Sequence, residues 1–179
     1  MLDPSSWVQR FAALLKPGGR VLDLACGSGR HSIFLANAGF DVLGVDSNVE
    51  SLALARENLG QLKSGNPQWL EMDLEADVWP LSSASFGFWD GIVVTNYLYR
   101  PFLEVLPSLL SKGGFLIYET FAQGNAEFGK PTSPKFLLNP AELLQLAQRS
   151  GLRVWAYEDL FTDLPKPAMV QRLCAQKSV

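Results

Sequence analysis

Residues 21–30 read VLDLACGSGR, and no other stretch of the chain narrows the possible folds so far. An apolar run suited to a buried strand passes through Gly27-Ser28-Gly29 directly into a segment of helical pattern that begins at Arg30. Glycines at such a turn let the backbone bend tightly and approach a ligand, while the first amides of the helix stay free to face it. Strands that alternate with helices build doubly wound parallel sheets, whose ligands sit beyond the carboxyl ends of the strands. One residue resists this reading. Asp23 lies inside the apolar run, where a carboxylate is costly to bury unless something positive or hydrogen-bonding meets it.

The rest of the chain keeps the same rhythm. Val8, Phe11, Leu14 and Leu15 mark one face of a helix that Lys16-Pro17-Gly18-Gly19 ends. A helix is predicted from Arg30 to Ala38, with Gly39 to stop it, followed by a short strand, DVLGVD, at 41–46. Ser47 and Glu50 have the spacing of a capping box at the head of the next helix, where Leu52, Ala55 and Leu59 share a face. WLEMD, GIVVTN and GGFLIYETF are three further strands. Residues 101–110 are helical but irregular, because Pro107 fits badly in a helix interior. Asn139-Pro140-Ala141-Glu142 predicts a helix start capped by Asn139, and Gly151 ends that helix. LRVWAYEDL and MVQRLCAQ follow with no helix between them, so a hairpin places one antiparallel strand in the sheet. The expected fold is α/β: a doubly wound, seven-stranded, mostly parallel Rossmann-like sheet, with residues 1–179 forming one domain.

Composition removes several function classes. Apolar residues make up 47% of the 179 and charged residues 18%, as in a globular domain, and the net charge is −3. Lys and Arg form no stripe, so a nucleic-acid partner is not expected. Cys26 and Cys174 stand far apart with no CxxC or Cys/His cluster, so no metal site is expected, and Cys26 reads as a small apolar filler. No apolar run approaches a membrane span and MLDPSSWVQR is unlike a signal peptide; a cytoplasmic protein is the expectation.

The ligand can be narrowed further. Asp46 ends the second strand, where an acid suits a bidentate contact with ribose hydroxyls, so an adenosine-containing cofactor is predicted. A dinucleotide fits poorly: Ser32 stands where its fingerprint has Gly or Ala, and Asp23 would repel a pyrophosphate. S-adenosyl-L-methionine carries an ammonium and a sulfonium and no phosphate, so it suits Asp23. Asp23 would meet its methionyl end directly or through water, or bond backbone amides of its own glycine turn, and the two are compatible.

With those residues in view, VLDLACGSGR resembles motif I of the class I S-adenosylmethionine-dependent methyltransferases. VLGVD resembles their second motif, EMDLE their third, FWDGIVVTNYLYR their fourth, and LSKGGFLIYETF their Gly-Gly turn and fifth strand. The motifs run in order along nearly the whole chain. YETF followed by GKPTSPKFLLNPAELLQL is similar to the small tellurite-resistance-type members. The resemblance implies that Asp23, Ala25, Gly27 and Gly29 hold the methionyl group and that Asp46 takes the ribose. It implies that Asp73 and the Leu74 amide read the adenine, with Val45, Ser47 or Leu74 packed against the ring. Asp73 is otherwise a turn acid.

Arg30 is a candidate for the cofactor carboxylate, or else a structural salt bridge. Asn96, after the fourth strand, would orient the methionyl amine or an acceptor, with Tyr97 beside it in a positioning role. Tyr99, Arg100 and Glu119 are candidates for the acceptor side, each with packing or ion pairing as its ordinary alternative. His31 lacks a visible partner and is not expected to be a base. Residues 121–138 are expected to form a lid, and Lys130 and Lys135 there, with Arg100, would favour an anionic acceptor, with simple solvation of scattered lysines as the ordinary alternative.

The implied reaction is in-line methyl transfer to a small molecule, with S-adenosyl-L-homocysteine as product. Alignment and water exclusion are the protein's main tasks. No side chain stands out as a general base, which favours an acceptor that is already nucleophilic. A non-catalytic S-adenosylmethionine-binding sensor or partner subunit is the alternative, and a nucleotide enzyme on the same scaffold a more distant one. A monomer or homodimer is expected.

Overall fold

The computed structural model describes residues 3–179. Its strands are β1 Arg20–Leu24, β2 Asp41–Asp46, β3 Gln68–Glu71, β4 Trp89–Thr95, β5 Leu110–Phe121, β6 Arg153–Thr162 and β7 Ala168–Gln176. They form one seven-stranded sheet in the order β3-β2-β1-β4-β5-β7-β6. The five strands from β3 to β5 are parallel, whereas β7 runs antiparallel to both β5 and β6. This is the expected doubly wound sheet with its one antiparallel strand. The chain order reverses between β1 and β4, and loops that diverge there open a crevice at the carboxyl edge.

The helices are α1 Ser6–Ala12, α2 Arg30–Asn37, α3 Val49–Glu57, α4 Ser83–Phe86, α5 Arg100–Leu103 and α6 Glu142–Arg149. On one face of the sheet, α1 and α2 bury Trp7, Val8, Phe11, Leu35 and Ala36 against Val21, Val93, Ile117 and Cys174. On the other, α6 buries Leu143, Leu146 and Ala147 against Leu22, Ile92, Leu116 and Leu173. Both faces of β1 and β4 are therefore covered, as near-continuous apolar runs in central parallel strands require. No helix among the described residues is long and apolar enough to cross a membrane.

Several boundaries differ from the sequence reading. Helix α3 is capped by Asn48, whose side chain accepts from the Ser51 amide at 2.7 Å, and not by Ser47. The helix starts late because the Asp46 carboxylate holds the Asn48 amide at 2.9 Å, which makes Ser47 part of the turn. Asn139 does not cap α6 either: Ala141 does, in the left-handed region at φ 59°. Glu142 reaches back to the Asn139 amide at 2.7 Å and pairs with Arg100, fixing the chain in another path. Strand β3 stops at Glu71, which leaves Asp73 in the turn beyond it. The segment 101–110 breaks into α5 and a 3₁₀ turn at Leu106–Leu109, with Pro107 near the start of that turn.

Candidate functional site

The carboxyl ends of β1, β2 and β4 carry most of the residues singled out from sequence. After β1 the backbone enters the left-handed region at Ala25 (φ 53°), Gly27 (φ 54°) and Gly29 (φ 77°), winding the loop tightly under the N-terminus of α2. Gly29 has a second constraint: a side-chain carbon there would come within 2.9 Å of Ala55. Over Gly27 there is open space, with nothing within 4 Å of such a carbon. The Gly27 amide donates to Asp46 at 2.8 Å, and the other oxygen of the same carboxylate takes the Asn48 amide. Asp46 thus ties the glycine loop to the head of α3, and its half-buried carboxylate keeps lone pairs for further donors.

Asp23 meets Ser32. Its carboxylate is 1% exposed and accepts the Ser32 hydroxyl at 2.6 Å together with the Ser32 backbone amide. Ser32 is the third residue of α2, whose cap, Gly29, has no side chain, so a carboxylate from the preceding strand supplies the missing cap. The acceptance is from the helix, and not from the glycine turn as the second sequence reading had it. Trp69 adds its indole N–H to the Ser32 hydroxyl at 3.3 Å. The ring lies across Gly44, where a side-chain carbon would stand 2.5 Å from Trp69 Cδ1. Burial raises the Asp23 pKa to about 6, against the lowering effect of the Ser32 hydrogen bonds and of Arg30.

His31 is also buried, and both ring nitrogens have partners. Nε2 accepts the Ser5 amide at 3.0 Å, so the neutral ring carries its proton on Nδ1, which faces Thr95 Oγ1 at 3.4 Å. Burial, followed by the nearby Arg30 charge, lowers its pKa to about 3. A neutral imidazole engaged on both sides is a fastener and not a base. Arg30 makes no salt bridge among the described residues and donates to the Asp3 carbonyl at 2.9 Å, so residues 3–5 are strapped across the start of α2. Sequence reasoning missed Ser5, Thr95 and the Ser32 partnership, since nothing local marks contacts between residues so far apart in the chain.

Two acceptor-side candidates are corrected. Arg100 donates twice to Glu142, at 2.7 and 2.8 Å, and also to the carbonyls of Pro134, Lys135 and Leu137. All five guanidinium donors are engaged, so Arg100 fastens the chain at 134–137 and has none left for an acceptor. Glu119 takes the Ser5 hydroxyl at 2.8 Å and pairs with Arg172, which also holds Glu158 at 2.9 Å. Tyr99 packs its ring on Phe102 and donates to the Glu75 carbonyl at 3.3 Å.

Asn96 and Tyr97, sequence neighbours after β4, both line a cavity of about 700 Å³. Asn96 is in the left-handed region at φ 55°, its amide bound to the Glu119 carbonyl at 2.9 Å. The Tyr97 hydroxyl is buried without a hydrogen-bond partner, and burial first, then the charge of Glu75, raises its pKa, so it stays protonated. Lys130, Pro131 and Phe136 of the segment expected to be a lid line the cavity too. That segment is tied at both ends by the Gln123 and Leu138 amides, each 2.9 Å from its acceptor across a short bridge. Buried Asn125 ties it within, at 3.0 Å to the Pro131 carbonyl. Asp73, exposed, accepts the Glu75 amide at 2.8 Å in a turn, while the Leu74 side chain joins the core.

With this geometry in hand, comparison with known proteins is decisive. Residues 21–114, just over half of the chain, match the family model of the methyltransferase domain. The chain belongs to the class I S-adenosylmethionine-dependent methyltransferases. Over 167 residues the chain is 29% identical to the ubiquinone biosynthesis O-methyltransferase of Bordetella avium, covering 82% of its own length and 66% of that protein. It spans 14% to 66% of the length of the first curated relatives that it matches. Its fold is similar to TehB of Haemophilus influenzae, with a TM-score of 0.78 and 21% identity over 98% of this chain and 63% of that one. It is also similar to the magnesium protoporphyrin IX methyltransferase of Synechocystis with bound cofactor, with a TM-score of 0.68 and 22% identity over 97% and 76% of the two chains. At such identities the chain shares their fold, and that likeness says nothing of what it acts on.

Proposed function

We propose that this methyltransferase transfers a methyl group to a small organic acceptor held between the β4 tip and the 121–138 segment. The observation that carries the reading is the position of the 700 Å³ cavity, lined by Asn96, Tyr97 and Leu98 just past the carboxyl end of β4, the sheet edge at which the glycine loop after β1 and Asp46 at the end of β2 also lie. Its size is that of a small-molecule site. The residues present suit the cofactor: the space over Gly27 is open, and the Asp46 carboxylate has lone pairs for two ribose hydroxyls. Asp73 and the Leu74 amide would take the adenine, and the loop backbone at Ala25 and Gly27 the methionyl group. Asp23 would act from beneath the loop, through Ser32 and its own negative field.

S-adenosylmethionine, when bound, supplies an electrophilic methyl carbon: the acceptor's lone pair forms the new bond while the carbon–sulfur pair returns to sulfur. The chain's own part is to align the acceptor and to exclude water. Asn96 and Tyr97 would position the acceptor, Tyr97 as a hydrogen-bond donor, since its hydroxyl remains protonated. With His31 fastened on both nitrogens, an acceptor that is already a nucleophile, such as a thiolate, suits the site best, and a thiol would lose its proton to water. Parallel calorimetric titrations with S-adenosylmethionine, S-adenosylhomocysteine and NAD, followed by an assay for S-adenosylhomocysteine with a panel of small thiols, test this. Micromolar binding of the first two and turnover with a thiol are expected. Binding without turnover on any small acceptor would return the reading to a sensor module, and binding of NAD alone would overturn it.

A further inference from the structure

Charge is distributed unevenly along the cavity. Glu75 stands at the β3 end, on the side of the proposed adenine contacts. At the other end stand Lys130, from the segment after β5, and Lys166, from the turn between β6 and β7, which reaches the cavity because β7 pairs with β5. Among the described residues neither lysine is in an ion pair, although the protein as a whole is acidic at −3. Lys166 Nζ lies 5.7 Å from the centre of the Phe121 ring. Each lysine directly precedes a proline, in Lys130-Pro131 and in the run Pro165-Lys166-Pro167. The α region is disfavoured for a residue before proline, so the backbone that carries each lysine is biased to an extended path. Between the charged ends the walls are largely apolar, from Tyr97, Leu98, Phe121 and Phe136.

We infer that the acceptor is an organic anion with an apolar body, which lies against Tyr97, Phe121 and Phe136 with its carboxylate or sulfonate between Lys130 and Lys166. Its nucleophilic end then points to Asn96 and the β4 tip, away from the lysines. A bare oxoanion would leave most of the 700 Å³ and all of the aromatic wall without contact. A neutral acceptor would gain nothing from the two cations. This inference rests on the small-molecule reading above and adds the class of molecule.

The test uses the whole protein loaded with S-adenosylhomocysteine. Arene carboxylates and sulfonates of one to three rings, each paired with the primary amide of the same skeleton, are measured by ligand-observed NMR and calorimetry. The acids are expected to bind more tightly than their amides. In the Lys130→Gln/Lys166→Gln double variant that advantage should fall about tenfold, the weight of two partly solvated ion pairs. Affinity for S-adenosylhomocysteine should stay unchanged, because neither lysine is in the cofactor loop. Acids bound no better than amides, or an advantage that survives in the double variant, would overturn the inference, as would the binding of no arene at all while S-adenosylhomocysteine binds. If S-adenosylhomocysteine itself failed to bind, the function proposed above would fall with it.

Discussion

The carboxylate of Asp46 does two jobs at once, and its replacement separates them. It holds the Gly27 and Asn48 amides, and it is the acid proposed to receive the ribose. Asp46→Ala is expected to weaken S-adenosylmethionine binding by about 1.5–3 kcal/mol, as for lost hydrogen bonds to a charged group, measured by calorimetry. Unchanged affinity would sink the assignment of the ribose to this residue. The place of Asp46 at the end of β2 was legible in sequence because an acid that closes a short apolar strand is a local signal. The partner of Asp23 was not. Ser32 was noticed only as the wrong residue for a dinucleotide, whereas its hydroxyl and amide turn out to satisfy the buried acid. Gly44 gave no warning either, since only the packed fold places Trp69 across it.

At the scale of elements, the segment 121–138 is fixed from outside itself. Arg100, at the first position of α5, binds three of its carbonyls and the Glu142 carboxylate at the head of α6, so one side chain fastens a helix start and a loop together. Burial alone would raise the Glu142 pKa, but the Arg100 guanidinium and the hydrogen bonds from Asn139 together outweigh it and keep this carboxyl below its ordinary value. Arg100→Lys keeps the charge and loses the planar fork. It is expected to cost about 1–2 kcal/mol, discounted for an arginine side chain that is one-third exposed. Amide exchange should accelerate at Leu137 and Leu138 before it does in β4 or β5. Uniform acceleration across the sheet would mean that Arg100 supports the whole fold and not this segment. The strands and the helices flanking β1 were readable from apolar periodicity, but this fastening was not, because it depends on a contact between residues 42 apart.

Across the whole molecule, two buried groups set opposite trends with pH. Asp23, raised from 3.8 to about 6, takes a proton in the folded protein before it does in the unfolded chain, so it adds stability as the pH falls from 6 to 4. His31, lowered from 6.5 to about 3, takes its proton first in the unfolded chain, so it removes stability over the same interval. Each trend amounts to about 2 kcal/mol across those two pH units, and in the native protein they largely cancel. Measured as differences from the unsubstituted protein, Asp23→Asn should therefore lose stability more steeply below pH 6, and His31→Gln should gain it. Profiles that stay parallel to that of the unsubstituted protein would refute both assignments. The same strap that holds His31 leads through Ser5 and Glu119 to Arg172 on β7, the last strand in sequence and an interior one in the sheet. Time therefore enters the architecture. On a ribosome β6 emerges before the strand it must pair with. Until residues 168–176 have cleared the exit tunnel, β5 keeps a bare edge and Glu119 lacks its counter-charge, so the nascent chain passes through an interval in which pairing with a neighbour competes with finishing the sheet.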